Sequence, residues 1–82
     1  MPYVIQEKRS DLDRVVDLMH DLDIIANGDL NYILFKYCKY HVTPGYKNYK
    51  NFLGELEECC AEIRRRLLAK YEDLKIQENG DV

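Results

Sequence analysis

The stretch that decides the fold is Tyr49-Lys50-Asn51-Phe52-Leu53-Gly54-Glu55-Leu56-Glu57-Glu58-Cys59-Cys60-Ala61-Glu62-Ile63-Arg64-Arg65-Arg66-Leu67-Leu68-Ala69-Lys70-Tyr71-Glu72-Asp73-Leu74. Within it Tyr49, Leu53, Leu56, Cys60, Ile63, Leu67 and Leu74 step by four, three, four, three, four and seven. That spacing is a heptad-like seam on one side of a helix, and Lys70 interrupts it. Phe52, Cys59 and Leu68 widen the apolar face. The helix is expected to start between Tyr46 and Asn51 and to run to about Leu74. At about 26 residues it would be roughly 39 Å long. Gly54 lies inside it, where glycine costs roughly 1 kcal/mol relative to alanine; a close helix crossing would explain that cost, and so would a helix start near Gly54 with residues 46–53 as a loop. Residues 75–82 are expected to form a flexible tail.

Upstream, Thr43-Pro44-Gly45 is a turn that ends a second helix. Asp29 is placed to cap that helix, and Leu30, Ile33, Leu34, Tyr37 and His41 form its stripe. Asn27-Gly28 should stop a first helix, since either residue accepts the left-handed conformation. Ser10-Asp11-Leu12-Asp13 resembles a capping box, and Leu12, Val15, Val16, Met19, Leu22 and Ile25 follow helical spacing. Residues 1–9 then form an extended arm. The short connection between the first two helices predicts an antiparallel pair. The expected fold is all-α: one small three-helix domain over residues 1–82 with a long C-terminal helix. That helix is longer than the two before it, so part of its seam lacks an intrachain partner. A homo-oligomer would cover it, or residues 1–9 would fold back over it.

Composition sets bounds on this reading. At 82 residues the chain is one domain at most. A domain of this size buries only about 60–65 % of the surface its unfolded chain exposes, so a lone monomer is marginal. A net charge of −3 argues against a protein held on nucleic acid by global charge. An acidic first helix likewise argues against a helix-turn-helix on DNA. No apolar run reaches the roughly 18–20 residues that span a bilayer, and the start lacks the pattern of a signal peptide. A cytoplasmic location is expected. Three cysteines, Cys38, Cys59 and Cys60, make no disulfide framework and are read as reduced, mostly packed thiols.

The pieces Gly28-Asp29-Leu30-Asn31-Tyr32, Gly54-Glu55-Leu56-Glu57, Arg65-Arg66 and Tyr71-Glu72-Asp73-Leu74-Lys75-Ile76-Gln77-Glu78-Asn79-Gly80-Asp81-Val82 carry a resemblance. Together they resemble a family of small uncharacterised proteins of tailed phages and metagenomic bacteria, over most of the chain. Some members have Pro before the Tyr-Glu-Asp; Lys70 stands there in this chain, which lets the helix continue. The resemblance implies a phage or prophage setting and a compact helical accessory protein that binds host components. It carries no catalytic activity and no cofactor.

Charge is uneven along the chain. Residues 29–52 hold Asp29 against Lys36, Lys39, Lys47 and Lys50, while the segments on either side are acidic. The same basic segment holds Tyr32, Tyr37, Tyr40, Tyr46 and Tyr49. Tyrosines stack on bases and lysines meet phosphates, and Arg64, Arg65 and Arg66 offer bidentate phosphate contacts. The bland reading is that the tyrosines edge a core or an interface and the lysines solvate a helix face. The sharp reading is a site for a small anionic nucleotide, built from Tyr32, Lys36, Tyr40, Tyr46, Lys47, Tyr49, Arg64 and Arg65. On that reading the protein is a non-enzymatic, homo-oligomeric sponge for a nucleotide signal of host immunity. The alternative partner is a host protein bound through a helical face.

Two chemical readings compete. Glu55-x-x-Glu58 followed by Glu78-x-x-Asp81 is similar to the carboxylate pattern of MazG-type all-α nucleotide pyrophosphohydrolases. There, carboxylates on facing helices would hold magnesium and position a water. The chain stops at Val82, directly after the second pair. Cys38-x-x-His41 with Cys59 or Cys60 could supply zinc ligands, but no paired knuckle is present. Ser10, the single serine, reads as a cap and not as a nucleophile.

Overall fold

A computed structural model describes residues 3–82. The chain is all-α, with α1 (Gln6–Asp21), α2 (Gly28–His41), α3 (Tyr46–Ile63), a π-helical turn (Arg64–Leu68) and α4 (Ala69–Asn79). The last three join into one helix of 34 residues, so three helices are present among the described residues and the third is the longest. No strand occurs among the described residues. The chain divides into two compact units, Met1–Tyr37 and Cys38–Val82.

In the first unit, α1 begins earlier than Ser10. Ile5 precedes it with no side-chain cap. The Lys8 N–H donates to the Ile5 carbonyl at 3.1 Å, and Arg9 Nε donates to the Val4 carbonyl at 2.8 Å. Residues 6–9 are therefore helical and not an extended arm, and Met1 and Pro2 of that arm lie outside the described residues. Gln6, Glu7, Lys8 and Arg9 are all good helix formers, so extending the helix back over them costs little. Glu7 also suits the positive end.

The end of α1 also differs from expectation. Gly28 does not carry the left-handed conformation; Asp23 does, at φ 55°. Its N–H donates to the His20 carbonyl and the Ile24 N–H donates to the Met19 carbonyl, each at 3.0 Å. That pair of bonds is a Schellman motif, which satisfies two of the helix's last carbonyls. Met19 and Ile24, the apolar pair that accompanies such a motif, are both half-buried. Asn27, not Asp29, caps α2: its Oδ1 accepts from the Asp29 N–H at 2.9 Å. Within this unit α1 and α2 do not pack along each other, so the expected antiparallel pair is not formed. Leu12, Val15, Val16 and Leu18 of α1 remain exposed, and so does Tyr32 of α2. A short connection permits pairing, but only burial of both stripes would enforce it.

In the second unit, Gly45 precedes the long helix at φ 152°, ψ 148°, a conformation closed to residues with a Cβ. The Tyr49 N–H donates to the Gly45 carbonyl at 3.0 Å, and Asn48 Nδ2 donates to the Thr43 carbonyl at 3.0 Å. The helix therefore starts at Tyr46, the early end of the expected range. It continues through Asn79, so Lys75–Asn79 is helix and not tail, with Lys75 Nζ on Glu78 Oε2 at 3.0 Å. Gly80, at φ 81°, ends it and donates its N–H to the Ile76 carbonyl. A Cβ on Gly54 would meet nothing within 4 Å, so no close crossing within the chain explains that glycine.

The π turn was not legible as such in the seam. Bonds from i to i+5 place one extra residue in a single turn, which sets everything after it back by about 100°. Lys70 would continue the stripe of an unbroken α-helix; after the π turn Tyr71 takes that direction. The interruption at Lys70 is thus bypassed by the backbone, but Leu74, the last residue of the expected seam, is turned off it, and Lys75 takes its direction.

No side chain among the described residues is buried. Leu53, Ile63, Leu67, Leu68, Tyr71 and Leu74 of the long helix are all exposed, between 47 % and 67 %.

Candidate functional site

Tyr32 and Lys36 lie one turn apart on α2, in the first unit. Lys36 Nζ donates to the Tyr32 hydroxyl at 2.9 Å and lies 5.2 Å from the ring centroid. Spacing of i, i+4 brings two such side chains together on a helix face. The other six expected residues belong to the second unit. Tyr40, at the end of α2, has the Lys39 ammonium 5.5 Å from its ring centroid. Tyr46, at the start of α3, has the Lys50 ammonium at 5.9 Å. These are cation–π distances at exposed sites. Lys39 and Lys50 were missing from the expected set. The Tyr46–Lys50 spacing is the same i, i+4 signal as Tyr32–Lys36 and could have found the second of them.

Within the second unit the expected residues do not converge on one point. Lys47 and Arg64 share one helix and are separated by roughly 25 Å along its axis. A single small nucleotide cannot touch both on one chain. Arg65 Nη2 lies 3.2 Å from Glu62 Oε2, and Arg66 Nη1 lies 3.5 Å from the same oxygen. Arg65 is therefore partly neutralised, while Arg64 makes no ion pair among the described residues. A shallow depression of about 290 Å³ next to Tyr46–Tyr49 is lined by Val42, Thr43, Asn48, Asn51, Phe52 and Glu55, none of them an expected ligand residue.

The carboxylates of the pyrophosphohydrolase pattern are also dispersed. Glu55 and Glu58 lie in α3 and Glu78 in α4, on the same long helix and not on facing ones. Roughly 30 Å of helix separates Glu58 from Glu78. Among the described residues no three His, Cys, Asp or Glu side chains are grouped to hold a metal ion, and Cys38, His41, Cys59 and Cys60 are no exception. All three cysteines are free; Cys38 is half-buried, but Cys59 and Cys60 are exposed and not packed as expected. Exposure follows from their place on a face that no part of the second unit covers. No helix among the described residues is long and apolar enough to cross a membrane.

The feature that the second unit does build is linear. It is an apolar stripe from Tyr49 to Tyr71, flanked by Glu57 and Arg64, neither of which has an ion-pair partner among the described residues. A stripe of this kind has the geometry that another helix could cover. No curated protein and no solved structure matches the chain. A family model described as a domain of unknown function, DUF6899, matches residues 1–82, and the chain belongs to that family.

Proposed function

We propose that the protein is a non-enzymatic binding protein that works as a homo-oligomer of helices. The observation that carries this reading is the exposure of the long helix's apolar stripe, with no buried side chain among the described residues. A chain held only by its own helical hydrogen bonds gains little stability, because most helical stability in proteins comes from burying an amphipathic face. Size-exclusion chromatography with light scattering tests it. An oligomer at micromolar concentration is expected; a folded monomer at tens of micromolar rejects it.

A second reading concerns the ligand. The Lys36–Tyr32, Lys39–Tyr40 and Lys50–Tyr46 pairs each combine an exposed ring with a cation. That combination suits the base and phosphate of an anionic nucleotide. On this reading the protein is a phage accessory factor in the host cytoplasm that sequesters a nucleotide signal of host immunity. Native mass spectrometry with mono-, di- and cyclic nucleotides tests it. Stoichiometric added mass is expected, and its loss on Lys36→Ala. If no nucleotide binds, a host protein on the helical face is the better assignment.

A further inference from the structure

Between Tyr49 and Leu67 the long helix reads as heptads, with Leu53, Cys60 and Leu67 at position a and Tyr49, Leu56 and Ile63 at position d. The flanking e positions are then Lys50, Glu57 and Arg64. We infer that two copies of the chain pair antiparallel through this seam, with Cys60 of one against Ile63 of the partner subunit. The inference rests on the homo-oligomer reading and adds direction and register to it.

Charge complementarity selects this arrangement. In an antiparallel pair the e positions of the two chains face each other. This register sets Glu57 against the partner's Arg64, twice by symmetry. Neither residue has an ion-pair partner within its own chain among the described residues. Sliding by one heptad sets Glu57 against itself and Lys50 against the partner's Arg64, so that like charges meet at both places. A parallel pair sets Phe52 and Cys59 beside Glu57 and Arg64 and leaves the charges without complements.

The π turn supports the same register. In an unbroken α-helix the residue opposite Leu53 would be the partner's Lys70, and the residue beside Lys50 would be the partner's Tyr71. Setting the phase back by one residue replaces these with Tyr71 and Glu72 respectively. One backbone feature thus takes Lys70 off the centre of the seam and adds an opposite-charge pair, while at the end of the seam it sets Lys75 in place of Leu74 opposite Tyr49. Tyr71 is 67 % exposed in the single chain, as a residue awaiting such a contact would be.

Cross-linking tests the register. In the Cys38→Ser, Cys59→Ser protein, adding Ile63→Cys should give a covalent dimer on mild oxidation, its mass lower by four hydrogens for two reciprocal disulfides. Cys60 alone should not cross-link, because the antiparallel register keeps the two Cys60 residues apart. Efficient cross-linking through Cys60 alone would mean parallel pairing and overturns the inference. So does a dimer that forms but does not cross-link with Ile63→Cys. A monomer by light scattering rejects the oligomer reading itself. As an independent arm, Glu57→Arg should weaken the dimer by roughly tenfold, and Glu57→Arg with Arg64→Glu should restore it. Equal weakening in both would overturn the assigned pair.

Discussion

At the scale of single residues, two backbone positions carry more of the fold than their side chains suggest. Asp23 holds a left-handed φ in the Schellman motif that ends α1. Aspartate tolerates that region better than most residues, but glycine adopts it freely. Asp23→Gly is expected to stabilise the protein by about 0.5–1 kcal/mol, read as a higher midpoint in thermal denaturation. Gly45 is the opposite case, since it already uses a conformation reserved for glycine. Gly45→Ala should cost about 1–3 kcal/mol. The added methyl would lie 3.6 Å from Asn48 Nδ2, an ordinary contact, so the loss would come from the backbone and not from collision. Gly54 has open space around it, and Gly54→Ala should raise stability by about 1 kcal/mol through helix propensity alone. A fall in the melting temperature of that variant would mean that another chain packs against Gly54.

At the scale of elements, the long helix is the informative one. Its π turn falls at Arg64–Leu68, where three arginines adjoin two leucines. The extra residue changes phase and not length to first order, which yields a sharp expectation. Deleting Arg65 converts the π turn to an α turn but leaves Tyr71 in the same direction, so helicity and the proposed oligomer should both survive. Inserting alanine after Arg65 moves every later side chain by about a further 100°, and the oligomer should be lost. Circular dichroism and light scattering on the two variants distinguish phase from composition. Asn27 makes the other element-scale contribution, since its side chain satisfies an orphan N–H of α2. Asn27→Ala should cost about 1 kcal/mol.

At the scale of the whole molecule, the missing ingredient is burial. Each leucine-sized side chain that a partner covers adds about 1.5–3 kcal/mol, and the stripe of the long helix presents several. Stability should therefore depend on protein concentration, with the melting temperature rising as concentration rises. Scanning calorimetry over a hundredfold dilution measures this directly. Leu56→Glu places a charge in the seam and should abolish that dependence along with the oligomer.

How much of this was legible in the sequence follows from which forces act locally. Spacing of apolar residues is a local property, and it placed three helices, the turn at Thr43-Pro44-Gly45 and the seam from Tyr49 to Leu67. Proline and glycine act on their own dihedrals, so the stop after His41 could be read directly. The start of α1 could not, because Ser10 offers a cap while the four residues before it favour helix almost as well, and the balance between the two is small. Of the expected ligand residues, the Tyr32–Lys36 pair was legible from its spacing, but the distance between Lys47 and Arg64 followed only once the helix start at Tyr46 had placed both on one helix. The left-handed turn at Asp23 and the π turn at Arg64–Leu68 became visible only in the three-dimensional structure. Both are choices among hydrogen-bond partners one residue apart, which differ little in local energy.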